Sequence, residues 1–370
     1  MPHNFRILVL GGYGHFGGRI CRALSDDVTL IVAGRDAARA YRLAHTLGAR
    51  HESTALDHNA PELSARLIAL RVNAVIHTCG PFQSQDYHVA QACIAAGVHY
   101  IDLADAREFV NGIGALDTAA CKKGVLVTSG ASTLPALSSA VIDEHAGLFA
   151  KIDAIHISIA PGQRTPRGVA TLESVLSYCG KPIQVWRQGR WQAVHGWQGL
   201  HRFVYPELGA RWLARCDVPD LQLFPSRYAG VQSVRFDAAL ELAVAQMAFW
   251  LLAGLVRMGI IAQASYYARS LQWLGRGFDW LGSDTGGMHI GLQGTGHDGH
   301  TTRLDWHLLA RHEHGPEIPC LPAIILARKL AAGTLTARGA VPCMGLMHLA
   351  EFAEAVMQAK LEISWRTGIT

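Results

Sequence analysis

A glycine-rich stretch near the start of the chain is the strongest indication of chemistry. Residues 10–18 read LGGYGHFGG, in which Gly12, Gly14 and Gly17 satisfy the pattern GxGxxG. Such glycines allow a tight turn, a close approach of a pyrophosphate to the backbone, and packing of the next helix on the preceding strand, with the helix N-terminus facing the phosphates. The alternative is a structural glycine-rich turn. We predict a dinucleotide site that includes Gly12, Tyr13, Gly14, His15, Phe16 and Gly17.

The end of the second predicted strand indicates which nucleotide binds. An NAD site usually has a carboxylate about twenty residues past the glycines, but this stretch reads Val32-Ala33-Gly34-Arg35-Asp36. Arg35 would form charge-assisted hydrogen bonds with a 2′-phosphate, and Gly34 would leave room for it. Asp36 is expected to cap the next helix. The sequence therefore predicts NADP(H), the alternative for Arg35 being a solvated charge at a helix start.

The ends of later strands supply further candidates. Asp57 follows the third strand, and Cys79, Gly80, Pro81 and Phe82 follow the fourth, where a nicotinamide ring would lie. Cys79 is more typical of a small apolar lining residue than of a nucleophile, because the sequence places no histidine to activate it. Asp102 and Asp105 follow the fifth strand and are candidates to orient substrate or act as acid or base. A helix cap is the alternative, and it suits Asp105 better.

These residues require a framework of strands and helices. Up to about residue 150, short β-branched runs alternate with helix-like stretches, which is typical of an α/β fold with a parallel sheet and crossover helices. We predict strands at 6–10, 28–33, 49–56, 74–78, 100–103 and 125–128, and helices beginning near residues 16, 37, 61, 85, 106 and 135. This order matches a doubly wound Rossmann fold, whose strand ends face one crevice.

Beyond residue 150 the hydrophobic pattern changes to period two. Alternating stretches at 154–160, 183–186, 191–194, 230–236, 288–293 and 302–310 predict a mixed or antiparallel sheet with helices on one face. We expect residues 1–150 to form the nucleotide domain, completed by C-terminal helices within 345–370. Residues 151–344 would form an inserted α/β domain for substrate and for dimerisation, and a homodimer is expected.

Residues 242–261 are almost entirely apolar, with Gln246 and Arg257 as the strongly polar exceptions. The length alone would permit a membrane span. A second helical stretch follows at 262–275, and we expect a buried helical hairpin or a dimer face. The alternative is membrane contact through 242–275, or a lipid-like substrate.

Histidines and arginines of the second half are weaker candidates. His297, His300, His307, His312 and His314 cluster with Asp298, Asp305 and Glu313, but no HExxH or Cys/His pairing appears, and no metal is expected. His289 and His307 are better placed to reach a cleft and bind substrate, a core or dimer role being the alternative. Arg164 and Arg167 lie in a Pro/Gly-rich loop that could bind a carboxylate, unless they are solvated.

Composition limits the classes of protein. The 370 residues, half of them hydrophobic and 17% charged, indicate a folded chain of about two domains. The net charge of 33 − 29 = +4, with no basic run, gives little reason to expect nucleic acid. Eight cysteines without a CxxC pair, and a start without a secretory apolar region, predict reduced thiols in a cytoplasmic protein.

Several segments together resemble the saccharopine dehydrogenase-like, or saccharopine reductase-like, oxidoreductases. These are GGYGHFG at 11–17, AGRD at 33–36, CGPF at 79–82, AGVHYIDLAD at 96–105 and SGASTLP at 129–135. The later pieces GGMH at 286–289, WHL at 306–308 and GPEIP at 315–319 resemble a bacterial branch of that superfamily. The resemblance implies an NADP-dependent oxidoreductase with a Rossmann domain, an inserted α/β domain, and C-terminal helices that return to the nucleotide domain.

Two departures from the family bear on the substrate. Amino-acid-metabolising members commonly continue the YxD segment to a Gly-Glu pair and later read Phe-Asp-Ser-x-Pro, whereas this chain has Ala104-Asp105 and the stretch 131–135. Saccharopine is therefore not carried over as the substrate. We predict hydride transfer to or from a carbonyl, imine or enoyl carbon of a small molecule. The alternatives are a non-catalytic NADP-binding redox sensor that regulates a partner, and an enoyl reductase acting on a lipid-like substrate.

Overall fold

The computed structural model describes residues 5–166 and 168–370. Its strands are β1 (Arg6–Leu10), β2 (Thr29–Gly34), β3 (Glu52–Ala55), β4 (Ala74–His77), β5 (His99–Asp102), β6 (Leu126–Ser129), β7 (Phe149–Ala160), β8 (Pro182–Arg187), β9 (Arg190–His195), β10 (His201–Tyr205), β11 (Gly209–Arg215), β12 (Ser233–Ala239), β13 (Gly286–Gly296), β14 (Thr301–Ala310), β15 (Gly339–Pro342) and β16 (Ile363–Ile369). Its α-helices are α1 (Gly17–Leu24), α2 (Ala37–Leu47), α3 (Leu63–Ala69), α4 (His88–Ala96), α5 (Arg107–Gly112), α6 (Asp117–Lys123), α7 (Ser138–His145), α8 (Val169–Ser177), α9 (Asp220–Arg227), α10 (Ala243–Arg257), α11 (Ala268–Arg276), α12 (Leu321–Ala331) and α13 (Leu349–Gln358).

The first compact unit extends up to Ala140 and includes Glu317–Ala359. Its strands pair in parallel in the order β15-β6-β5-β4-β1-β2-β3. The central strands are apolar throughout, with Ile7, Leu8 and Val9 of β1 fully buried, as expected where helices cover both faces of a parallel sheet. The predicted α/β class and the Rossmann strand pattern are confirmed.

Local signals explain where the helices begin and end. Asp36 precedes α2, and its side chain accepts a hydrogen bond of 3.0 Å from the backbone N–H of Arg39, as predicted. At its other end, α4 stops at Gly97, which adopts the left-handed conformation with φ +71 that glycine tolerates best. In α1, Ile20, Cys21 and Leu24 are buried, so one face of the helix packs inward.

The second compact unit comprises Val141–Pro316 and Lys360–Thr370. Its sheet follows the order β10-β11-β12-β7-β13-β14-β16, with β8 joined to β12 and to β9. The pair β12 and β7 is parallel, whereas β7 with β13 and β13 with β14 are antiparallel, which confirms the predicted mixed sheet. Trp306 and Ile290 lie opposite each other on β14 and β13 and are fully buried in the core.

The units divide the chain differently from the sequence prediction. The expected change at residue 150 lies at Ala140, and α12 belongs to the first unit although it falls within 151–344. The expected C-terminal helices are represented by α13, but Ile363–Ile369 forms β16, which pairs antiparallel with β14 in the second unit. Strands β10, β11, β15 and β16 were not predicted. The reason is that arginines interrupt β10, β11 and β16, and β15 has four residues.

The apolar stretch 242–275 does form two helices, α10 and α11, joined through a 3-10 helix at Ala264–Tyr267. Of the two expectations for this hairpin, burial within its own chain is wrong for the described residues, because Trp250 and Leu251 of α10 are 42% and 57% exposed. The dimer face stays a prediction. Small or polar residues make the buried contacts instead, Gln246 and Ala253 in α10. No helix in the described part of the chain is both long enough and apolar enough to cross a membrane.

Candidate nucleotide site

The glycine loop follows β1 and makes its turn one residue earlier than predicted. Gly11, not Gly12, has the left-handed φ of +82. Its N–H donates to the carbonyl of Ala33 at 2.9 Å, which fixes the loop against the end of β2. A Cβ on Gly11 would lie 2.7 Å from Thr78 Oγ1, so the position requires glycine for its conformation and for its space.

Gly17 opens α1 and must also be small. A Cβ there would clash with the Gly11 carbonyl oxygen and lie 2.8 Å from Gly12 Cα. A Cβ on Gly14 would lie 2.9 Å from the Gly11 carbonyl oxygen, and Gly14 is exposed. The glycines therefore leave the loop backbone uncovered by side chains near the N-terminus of α1, where N–H groups can bind a phosphate.

A cavity of about 590 Å³ opens beside this loop. The predicted cofactor residues that line it are Tyr13, Gly14, Gly34, Arg35, Cys79, Gly80 and Pro81. The others, Gly12, His15, Phe16, Gly17, Asp57 and Phe82, lie outside the described lining. Residues that sequence reasoning missed are Gly11, Leu56, His58, Asn59, Thr78, Ser84, Gln85, Asp86, His88 and Val89. Several of them could have been predicted, because they follow the ends of β3 and β4, at the edge where parallel sheets bind ligands.

Arg35 stands at the wall of the cavity, directly after β2. Its side chain is exposed and makes no hydrogen bond or ion pair with any other described residue. The space that Gly34 provides is used by Tyr13, since a Cβ on Gly34 would lie 2.5 Å from Tyr13 Cε1. Tyr13 in turn accepts a hydrogen bond of 2.9 Å from the backbone N–H of Asp36. The structure adds Arg39, whose guanidinium lies 4.7 Å from the centre of the Tyr13 ring.

The loop after β4 forms another part of the wall. Burial raises the pKa of the Cys79 thiol to about 12, so the side chain stays a neutral thiol near neutral pH. This agrees with the predicted lining role and not with a nucleophile. The Gln85 side-chain amide donates to the carbonyl oxygens of Cys79 at 2.6 Å and Pro81 at 2.9 Å. Those two bonds hold the loop in place.

Asp102 ends β5 and is fully buried. Its Oδ1 accepts hydrogen bonds from Ala104 N at 2.9 Å, Ser129 Oγ at 2.9 Å and Gly130 N at 2.8 Å, which joins the end of β5 to the end of β6. Burial raises the pKa of Asp102 to about 6, against the lowering effect of those donors. Its other oxygen, Oδ2, is buried without a hydrogen-bond partner among the described residues. Asp102 does not line the described cavity, and its catalytic role stays a prediction.

Asp105, the second predicted catalytic residue, is half-buried and accepts a hydrogen bond of 3.2 Å from the Gln83 side-chain amide. It is not the cap of α5, because Ala106 holds that position and the helix has no side-chain cap. The alternative of a helix cap is thus wrong for Asp105. Like Asp102, it lies outside the described lining of the cavity.

The predicted substrate histidines lie side by side on the second sheet. His289 of β13 and His307 of β14 are cross-strand neighbours, with stacked rings 4.7 Å apart. His289 Nε2 lies 2.7 Å from Asp305 Oδ1, and Arg303 donates to the other oxygen of that carboxylate at 2.8 Å. Arg164 is exposed on its loop. Arg167 lies outside the described residues.

Two clusters in the second unit contain metal-ligating side chains. The donor atoms of His289, Asp305 and His307 lie within 4.8 Å of one another, as do those of His156, His201 and Asp237. In each cluster an arginine two residues before the aspartate already pairs with the carboxylate, Arg303 at 2.8 Å and Arg235 at 2.5 Å. Because protein cations compensate both carboxylates, we assign no metal to either cluster.

Comparison with known families decides the class of the nucleotide site. Residues 7–150 match the family described as the saccharopine dehydrogenase NADP binding domain. This region is a saccharopine dehydrogenase NADP-binding domain. The predicted family and the predicted cofactor, NADP(H), are confirmed. The saccharopine dehydrogenase family match also supports an NADP-dependent oxidoreductase, although it names no substrate for this chain.

Solved structures extend the similarity of fold beyond the saccharopine dehydrogenase NADP-binding domain. The apo form of saccharopine dehydrogenase (L-Glu forming) from Saccharomyces cerevisiae matches with a TM-score of 0.67 and 14% identity, over 99% of this chain and 100% of that chain. At this identity the similarity shows the fold alone. An oxidoreductase from Sinorhizobium meliloti has a TM-score of 0.40 and 13% identity, over 84% of this chain and 75% of that chain. No curated protein matches significantly.

Proposed function

We propose that this protein is an NADPH-dependent oxidoreductase that reduces, or in reverse oxidises, a carbonyl, imine or enoyl carbon of a small molecule. The single observation that carries the proposal is Arg35 at the wall of the cavity that the glycine loop borders, where its guanidinium has no hydrogen bond or ion pair with the described residues. An exposed guanidinium without a protein partner is free to form charge-assisted hydrogen bonds with a 2′-phosphate.

The chain fits the cofactor at two further points. At Gly14 and Gly17 a side chain would clash with neighbouring backbone atoms, and glycine avoids the clash. Because no side chain stands there, a pyrophosphate can approach Gly14 and the N-terminus of α1. The Cys79–Pro81 loop, held by Gln85, offers a neutral wall for the nicotinamide. When bound, NADPH supplies the hydride. The protein contributes orientation of the two reactants and exclusion of water.

We assign Asp102 a positioning role rather than contact with substrate. Its carboxylate is fully buried and accepts hydrogen bonds from Ala104, Ser129 and Gly130, which lie at or just after the ends of β5 and β6. The ends of these strands lie at the ligand-binding edge of the sheet. Asp102→Ala, which removes the acceptor of all three hydrogen bonds, is expected to lower kcat with little change in the KM for NADPH. Asp102→Asn, whose amide oxygen can accept the same bonds, is expected to keep most of kcat.

The test is turnover of NADPH with three substrate classes, namely ketones, cyclic imines and enoyl thioesters. We expect oxidation of NADPH with one class, and in Arg35→Ala a KM for NADPH raised at least about tenfold with kcat little changed. Arg42→Ala is the matched control, because Arg42 is exposed on α2 and has no hydrogen bond or ion pair with the other described residues. This variant should keep the native KM. Tight NADPH binding without turnover in any class would overturn hydride transfer and favour the redox sensor.

A further inference from the structure

The second unit exposes a concentrated set of large apolar side chains in residues 243–281, here named the α10–α11 surface. Tyr266, Trp273 and Trp280 are 78%, 76% and 78% exposed, and Met258 and Ile260 are more than half exposed. Exposed large apolar side chains that are concentrated in one part of a protein commonly mark a site of contact with another protein or with a membrane. Their concentration in this segment therefore indicates an interaction surface.

The packing of the helices explains why these side chains point outward. The 3-10 helix Ala264–Tyr267 contacts both α8 and α10, and α11 packs on α8. The buried positions in this layer are small or polar, with Ala253, Ala264 and Ala268 at 0–1% exposure beside Gln246. Small inner residues let the helices approach closely, while the tryptophans and tyrosines stay outside. The large apolar residues thus contribute little to the fold that bears them.

Charge distinguishes between possible occupants. Residues 243–281 contain three basic residues, Arg257, Arg269 and Arg276, and one acidic residue, Asp279, for a net charge of 3 − 1 = +2. The three arginines are exposed and make no hydrogen bond or ion pair with other described residues. Asp279 is already engaged, since it accepts a hydrogen bond of 3.1 Å from the Gln163 side-chain amide. A partner surface of negative charge would complement this set.

A second copy of the chain complements the surface poorly. A symmetric dimer places the same patch on both sides of the contact, so the arginines of one copy would meet those of the other with one aspartate per copy to offset them. Anionic phospholipid headgroups satisfy the arginines, and tryptophan and tyrosine prefer the depth of those headgroups. No described helix is suited to cross the bilayer, so the contact would be peripheral.

We propose that the α10–α11 surface docks the protein on anionic bilayers, with Trp250, Trp273 and Trp280 at the headgroup level and Arg269 and Arg276 against lipid phosphates. The helices lie in the plane of the interface rather than across it. This placement brings the second unit to the membrane. The inference does not depend on the proposed oxidoreductase activity.

The experiment is sedimentation of the full, nucleotide-free chain with large vesicles of phosphatidylcholine alone or with phosphatidylglycerol. We expect binding to the anionic vesicles at least about tenfold tighter than to the neutral ones, and weaker at high salt. Trp273→Ser with Trp280→Ser should lower binding to anionic vesicles about tenfold or more, because apolar area is removed from the contact. Arg269→Gln with Arg276→Gln should lower it at least about fivefold and reduce the salt dependence.

Tyr41→Ser is the matched control, since Tyr41 is 60% exposed on α2 in the first unit. It should bind vesicles like the native chain, and circular dichroism should show that all variants are folded. Absence of binding to either kind of vesicle would overturn the proposal. So would a dimer, measured by light scattering, that dissociates in the Trp273→Ser, Trp280→Ser variant, because a second copy would then cover the surface.

Discussion

The nucleotide cavity and the α10–α11 surface are built in opposite ways. Around the cavity, the backbone is so closely packed that Gly11 and Gly17 have no room for a methyl group, and the shape of the site depends on the fold itself. On the α10–α11 surface, Trp273 and Trp280 are mostly exposed and touch little of their own chain. The difference teaches that substitutions at the cavity should alter binding through shape, whereas substitutions at the surface should alter docking and leave the fold intact.

The largest predicted effect is on the free energy of unfolding, and it should differ sharply between two tryptophans of the second unit. Trp306 is fully buried in β14, and Trp280 is 78% exposed. Trp306→Ala should lower the free energy of unfolding by about 3–5 kcal/mol, because it leaves a cavity in the core. Trp280→Ala should change it by less than about 0.5 kcal/mol. Urea unfolding measures both, and comparable losses would show that Trp280 packs within the fold.

The next effect concerns the buried carboxyl group beneath the strand ends. The pKa of Asp102 in the folded chain is about 6, above the usual value for an unfolded chain of about 3.9. The folded state therefore holds this proton more tightly, and the contribution of Asp102 to stability falls as pH rises from about 4 to about 6. The loss is up to about 3 kcal/mol and is complete above about pH 7.

Asp102→Asn removes this titration while its amide oxygen can accept the same three hydrogen bonds. Urea unfolding at a series of pH values should therefore show the variant gaining on the native chain between pH 4 and pH 6. A constant difference between the two proteins across that range would mean that Asp102 has an ordinary pKa. A further measurement at pH 8 tests whether the difference in the free energy of unfolding between the two proteins has stopped changing.

A smaller effect compares two adjacent glycines of the loop. Gly17→Ala should weaken NADPH binding at least about thirtyfold, because its Cβ would clash with the Gly11 carbonyl and displace the loop. Gly18→Ala is the control, since the nearest neighbour of its Cβ is the flexible Arg22 side chain at 3.5 Å. Fluorescence titration gives both affinities. Equal affinities for the two variants would remove the glycine loop from the binding site.

How much the sequence could predict depended on whether a feature is local. The strand β1, the cap by Asp36 and the glycine spacing follow from residues within one turn or strand, and each was predicted. The left-handed turn lies at Gly11, where a Cβ would lie 2.7 Å from Thr78 Oγ1, and the local sequence does not reveal that distant neighbour. The environment of Asp102 is set by Ser129, the last residue of β6, and by Gly130 directly after it, which no local pattern reveals.

The second unit was harder to predict for a related reason. Strand β16 is an edge strand whose residues are mostly exposed, so it has no apolar alternation to detect. In α10 the apolar composition predicted the helix, but it could not tell which residues face inward. The residues that face inward are small ones, such as Ala253 of α10 and Ala264 of the following 3-10 helix.

The most direct test of the central claim is the ratio of affinities for NADPH and NADH, measured by fluorescence titration of the native chain and of Arg35→Ala. The claim predicts a preference for NADPH of at least about tenfold in the native chain. In Arg35→Ala, affinity for NADPH should fall to near that for NADH, while affinity for NADH should stay unchanged. Equal affinities in the native chain, or a preference that survives the loss of Arg35, would contradict the claim.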